Sequence, residues 1–235
     1  MMFKKKSTDT KSSPSKLVTL TKPGSVISEQ FKTIRTNIQF SIFDKEIKTI
    51  AITSDMMGAG KSTMAANLAV SFSLQGKKVI LIDSDMRKPT IHHFFNLPNH
   101  DGLTSLLTDR SIELSDMVHH TAIDNLFILT SGLIPPNPSE LLASKRMDEL
   151  LVELDKDYDL IVFDLPPVMI VTDAQIMASK VDGTIVVIRK DNTTKDKIMQ
   201  SKILLQKVNA NVIGVILNRK KVEENLDYGY YTAIN

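Results

Sequence analysis

Short apolar runs and amphipathic stretches alternate along most of the chain. The apolar runs fall at 47–53 (IKTIAIT), 78–82 (KVILI), 126–130 (LFILT), 159–163 (DLIVF), 183–188 (GTIVVI) and 212–217 (VIGVIL). They are nearly continuous in hydrophobic residues, which is how strands covered on both faces read. Helical spacing fills the intervals near 61–75, 102–108, 112–119, 139–155, 172–180 and 194–208. Such alternation predicts an α/β fold built on a doubly wound, mostly parallel sheet. Ahead of the first run, Phe31, Ile34, Ile38 and Ile42 recur at helical spacing, so 28–43 is expected as a helix with Ser28 as its N-cap. Residues 1–24 read as a disordered basic arm, 25–218 as one domain, and 219–235, where periodicity stops, as a tail.

Composition narrows the function classes. The chain has 235 residues and a net charge of +2, too small to argue for nucleic acid as a partner. It has no cysteine, which excludes disulfides, thiolate zinc and iron–sulfur clusters and fits a reducing cytosol. No run is long enough to span a membrane, and the basic N-terminus has no apolar segment behind it. His92-His93 and His119-His120 are adjacent pairs, expected to point apart rather than converge on a metal. Pro135 to Glu140 reads as a stiff loop into a helix that Ser139 caps.

The first strand leads into Thr53-Ser54-Asp55-Met56-Met57-Gly58-Ala59-Gly60-Lys61-Ser62-Thr63 and then a helix. Gly58 and Gly60 let the backbone curl so that its N–H groups point inward, and the helix N-terminus aims its positive end at the same place. Lys61 supplies a full charge for the β- and γ-phosphates, and Ser62 a hydroxyl for Mg²⁺. The segment is a P-loop, residues 58–63 forming the nucleotide cradle, although Asp55 stands where the usual pattern has its first glycine. A P-loop NTPase that binds ATP and Mg²⁺ is the expectation.

Two more strands end in carboxylates. One runs into Asp83-Ser84-Asp85-Met86-Arg87, the other into Asp164-Leu165-Pro166-Pro167. Both place acid at the C-terminal edge of the sheet, where open α/β folds bind ligands. One such aspartate would be a helix cap; three beside a P-loop call for a cation, which Mg²⁺–ATP brings. Asp164 is the natural residue to hold Mg²⁺ through water.

With these motifs in view, the chain resembles the bacterial tyrosine kinase family of capsule and exopolysaccharide systems. The resemblance rests on the P-loop, on Asp83-x-Asp85-x-Arg87 and on Asp164-x-Pro-Pro, and runs from about residue 25 to the tail. Met57, Ala59 and Leu165 depart from residues common in that family. The resemblance implies a protein tyrosine kinase in which Lys61 serves the phosphates, Ser62, Asp85 and Asp164 serve Mg²⁺, and Asp83 orients the tyrosine hydroxyl and accepts its proton. Arg87 offsets charge nearby or forms a structural salt bridge. Asn218, at the end of the last strand, contacts adenine or serves as a turn residue.

Three of the four tyrosines, Tyr228, Tyr230 and Tyr231, fall in the last eight residues, behind Glu223, Glu224 and Asp227. The resemblance makes this cluster the autophosphorylation site. It also matches Glu29-x-x-Lys32-x-x-Arg35-x-Asn37 to an oligomerisation motif, with lysine for its first arginine, and implies a homo-oligomeric ring that presents one tail to the next subunit. Further implied partners are a membrane-anchored activator or adaptor, a cognate tyrosine phosphatase and other protein substrates, with the chain cytoplasmic and recruited to the inner face of the plasma membrane. The rival readings are a MinD/ParA-like positioning ATPase and a nucleotide-gated scaffold. Positioning ATPases carry an additional lysine five residues before Lys61, where Met56 stands.

Overall fold

The computed structural model describes residues 16–41 and 47–218. Two helices, α1 (Val18–Thr21) and α2 (Val26–Gln39), precede β1 (Thr49–Ser54), α3 (Lys61–Ser73) and β2 (Val79–Asp83). Next come α4 (Ile91–Phe95), α5 (Leu103–Thr108), α6 (Leu114–Met117), β3 (Val118–His120) and β4 (Leu126–Leu129). The chain continues through α7 (Pro138–Ala143), α8 (Lys145–Asp157), β5 (Leu160–Asp164), α9 (Asp173–Ala178), β6 (Gly183–Arg189), α10 (Lys195–Lys207) and β7 (Val212–Asn218).

The strands form one sheet of order β3-β4-β2-β5-β1-β6-β7. All neighbours are parallel except β3, which runs antiparallel on the β4 edge. The six expected strands are therefore present as a mostly parallel doubly wound sheet. Their all-apolar character follows from two cores. Ile80, Ile82, Ile161 and Phe163 pack on one face with α5, α7, α8 and α9, while Val79, Leu81, Leu160 and Val162 pack on the other with α3. Neighbouring residues of one strand thus serve opposite cores, as the period of two demands.

Helix α3 lies deepest. Ala65 to Ser73 are all buried, and Ala65, Ala66 and Ala69 give the close approach to the sheet. Asn67 is fully buried and satisfied: it accepts from the Thr19 amide and hydroxyl, both at 3.0 Å, and donates to the carbonyls of Lys16 and Thr63. This corrects the boundary of the expected arm, because Leu17 and Thr19 are buried and α1 is folded onto α3. Residues 1–15 lie outside the described residues.

Other elements shift for local reasons. The N-cap of α2 is Ser25, whose hydroxyl accepts from the Ser28 amide, and not Ser28; the Ser28 hydroxyl donates to the Lys22 carbonyl at 2.6 Å. The helix expected over 112–119 shortens to one turn and gives way to β3. The helix expected over 139–155 breaks at Ser144, which is extended and caps α8 through the Met147 amide. The N-cap of α7 is Asn137, and Ser139 instead donates to Asp173. No helix among the described residues is long and apolar enough to cross a membrane.

Candidate active site

The C-terminal ends of β1, β2 and β5 meet at one point. Asp83 and Asp164 are register partners on adjacent strands, and the Ser84 amide donates to the Asp164 carbonyl at 2.9 Å. The loop from β1 to α3 closes over them. Gly58 (φ +74°) and Gly60 (φ +98°) both adopt the left-handed conformation. At Gly60 the need for glycine is double, since a Cβ there would lie 2.2 Å from the Asn218 amide nitrogen. That amide, at the end of β7, donates to the Ala59 carbonyl at 2.7 Å. Of the two sequence readings for Asn218, the structure displays a third: a brace under the P-loop.

The Lys61 ammonium lies between two carboxylates, 2.8 Å from Asp85 Oδ2 and 3.3 Å from Asp164 Oδ1. It also approaches Ser62 Oγ at 3.3 Å. Burial works against its charge, but the fields of Asp164 and Asp85 outweigh it and raise the pKa above the ordinary lysine value. Asp164 is fully buried; desolvation lifts its pKa, while Lys61 and Ser62 oppose the rise. Asp83 is lifted to about 7, first by desolvation and then by the Asp164 charge, against the amides of Thr90 and Ile91 that its Oδ2 accepts at 2.8 Å each. Asp83 Oδ1 and Asp164 Oδ2 have no hydrogen-bond partner among the described residues.

A cavity of about 330 Å³ opens in front of this cluster. Gly58, Gly60, Lys61, Ser62 and Thr63 form part of it with Asp85, and Met57, Phe94, Pro166, Pro167, Ile170 and Val171 give it an apolar side. Asp83 and Asp164 stand behind it. Ser62, Asp85 and Asp164 form an oxygen-only set with an unpaired buried oxygen, which fits Mg²⁺. No three histidines or carboxylates among the described residues form a complete metal cage.

Arg87 resolves toward the salt-bridge reading. Its Nε and Nη2 reach Asp173 Oδ2 and Oδ1, each at 3.0 Å, and Nη2 also donates to Ser139 at 3.1 Å. Asp173 is fully buried and was missed by sequence reading; Asp55, the departure from the P-loop pattern, is a buried carboxylate with neither oxygen hydrogen-bonded among the described residues. No signal in the local sequence marks Asp173.

The motif on α2 is split. Lys32 pairs with Glu29 at 2.7 Å on the surface. Arg35 is half-buried and donates from Nη1 to the Ser71 carbonyl at 2.7 Å and hydroxyl at 3.1 Å. It therefore caps the last turn of α3 within its own chain. The His92 and His93 rings do not point apart but lie 3.9 Å from each other. Tyr228, Tyr230 and Tyr231 lie outside the described residues. The remaining tyrosine, Tyr158, is buried beside Phe127 with the Lys78 ammonium over its ring.

Comparison with known proteins adds the following. A family model described as an AAA domain matches residues 47–212. The tyrosine-protein kinase YwqD of Bacillus subtilis is 47% identical over 92% of this chain and 90% of its own length. CapB of Staphylococcus aureus, named as a tyrosine-protein kinase, is 44% identical over 98% of both chains. The crystal structure of the chimerical protein CapA2B2 superposes with a TM-score of 0.84 at 44% identity, over 88% of this chain and 90% of that one.

Proposed function

The chain belongs to the bacterial tyrosine kinase family and is a nucleotide-binding tyrosine kinase, and we propose that it phosphorylates Tyr228, Tyr230 and Tyr231 on a neighbouring copy of itself. The observation that carries the reading is the seat of Lys61 between Asp85 and Asp164 beneath the P-loop. A buried ammonium held there is poised to move onto phosphate oxygens when a nucleotide enters.

In this reading the amides of residues 58–63 and Lys61 hold the phosphates of ATP. Ser62, Asp85 and Asp164 hold Mg²⁺, which when bound neutralises charge on the phosphates. Positioning and charge neutralisation are most of what phosphoryl transfer requires. Asp83 accepts the tyrosine proton. An ordinary carboxylate near pKa ~4 facing a phenol near ~10 leaves a mismatch of roughly 8 kcal/mol. Desolvation and the Asp164 charge raise the Asp83 pKa and so narrow that mismatch. Because Asp85 and Lys61 line the cavity and Asp83 does not, the role requires that this pair part as Lys61 turns to the phosphates. The apolar side of the cavity, with Met57 and Ile170, suits the ring of the acceptor.

Glu29 and Lys32 are proposed to contribute to a homo-oligomer in which one tail reaches the next active site. The names of relatives, CapB and CapA2B2 among them, support a place in capsular or extracellular polysaccharide synthesis and a membrane-anchored protein partner that brings the chain to the membrane. A tyrosine phosphatase would reset the tail. The test is incubation of purified chain with ATP and Mg²⁺, followed by mass spectrometry of the C-terminal peptide. Phosphate on the three tail tyrosines is expected. Hydrolysis of ATP with no phosphotyrosine would return the chain to the positioning-ATPase reading.

A further inference from the structure

The two carboxylates assigned to the metal come from different strands, Asp85 from the loop after β2 and Asp164 from the end of β5. Their separation therefore depends on how the two following loops are fastened. The loop after β5 ends at Asp173, the first residue of α9, and the loop after β2 contains Arg87. These two residues close a bidentate ion pair with both contacts at 3.0 Å. Ser139, at the start of α7, donates to the same carboxylate at 2.7 Å. Three segments that share no sequence neighbourhood are thus joined at one buried carboxylate, whose partner Arg87 lies two residues from Asp85.

We propose that Asp173 is a positioning residue for the metal-binding carboxylates, acting through Arg87, with Ser139 as its second support; this rests on the kinase reading above. Stability alone does not explain the arrangement. Asp173 is fully buried and costly to desolvate while the Arg87 side chain stays 41% exposed, so an apolar residue at 173 would cost less to bury. What an apolar pair lacks is direction. The planar guanidinium fork meets a carboxylate in one geometry, which a lysine or a greasy contact does not impose. Asp173 accepts three hydrogen bonds, two of them from Arg87, so the rotamer of Arg87 is fixed, and with it the path of 85–87. The Asp85 carboxylate is further held where the Lys88 amide donates to its Oδ1 at 3.1 Å. Residues that orient metal ligands from behind commonly change metal affinity by about 10- to 100-fold when altered.

The test uses the full chain and a fluorescent ADP analogue, titrated in EDTA and then across Mg²⁺ concentrations. The readout is the Mg²⁺ concentration that gives half of the affinity gain, so no turnover is needed. In Asp173→Asn and in Arg87→Lys that midpoint is expected to rise by about 10- to 100-fold, while in Asp173→Asn, a position that does not line the cavity, affinity in EDTA stays within about twofold of wild type. Arg87→Lys keeps the charge and loses the fork, so it separates geometry from field. Should Asp173→Asn fail to fold, Ser139→Ala removes a single donor and should move the midpoint by about fivefold. Unchanged midpoints, or equal losses with and without Mg²⁺, overturn the positioning role. A wild-type chain whose ADP affinity ignores Mg²⁺ overturns the metal reading itself, a distinct result.

Discussion

The side-chain amide of Asn218 donates to the Ala59 carbonyl at 2.7 Å, so the last strand of the sheet braces the loop that follows the first. The same amide fills the space where residue 60 would carry a Cβ. Gly60→Ala should therefore meet both a left-handed backbone and a steric clash, and nucleotide affinity is expected to fall by more than about 100-fold, in line with the several kcal/mol such conflicts cost. In an Asn218→Ala background the clash is gone and only the backbone strain remains. Calorimetric titration of the double variant should show part of the affinity restored relative to Gly60→Ala. A purely additive result would show that the two residues do not share the space.

Lys61→Met is expected to abolish phosphotyrosine formation. It should also cost stability, because it strands Asp85 and Asp164 beside each other without the ammonium between them. Loss of one member of a buried charge cluster costs about 3–5 kcal/mol. Urea denaturation measures the cost, and undiminished phosphotyrosine would remove Lys61 from catalysis.

On α2 the two basic residues should behave differently. Arg35→Ala takes a donor from the Ser71 carbonyl near the C-terminus of α3, an interaction worth about 1–2 kcal/mol. Lys32→Ala breaks only an exposed pair and should leave stability within about 0.5 kcal/mol of wild type. Denaturation combined with light scattering separates the roles: Lys32→Ala is expected to lower oligomer mass with no loss of stability. Equal stability losses would mean that Arg35 is not a cap.

Phosphorylation of the tail is expected to loosen the assembly. Three phosphotyrosines add roughly −4.5 to −6 charge at neutral pH beside Glu223, Glu224 and Asp227. That tail should leave a site holding three aspartates and a nucleotide. With ATP and Mg²⁺ added, wild type should lose mass by light scattering while the Tyr228, Tyr230 and Tyr231 triple change to Phe does not. Identical masses would leave the tail as a substrate or docking segment only.

Much of the fold was legible because each strand serves two cores and so reads as an unbroken apolar run. Strand β3 escaped because it is three residues long and follows a single helical turn in a stretch with helical spacing. The P-loop and the strand-end acids were legible because their chemistry is local. Asn67, Asp173 and Ser71 were not, since each matters through a partner that the fold brings from 34 to 86 residues away in sequence, as Ser139, Arg87 and Asp173 show. The bond from Arg35 to Ser71 was hidden for the same reason: spacing places a residue on a face, and only packing decides what that face meets.

The central claim is phosphoryl transfer to the tail of another copy, and mixing two defective chains tests it most directly. One chain carries Lys61→Met and an intact tail, and bears a size tag. The other has an intact active site and phenylalanine at 228, 230 and 231. Neither should label itself with ATP and Mg²⁺. Phosphotyrosine on the tagged Lys61→Met chain in the mixture is the expected result. A mixture that stays blank while wild type alone labels its tail would contradict transfer between copies, and a blank wild type would contradict tail phosphorylation altogether.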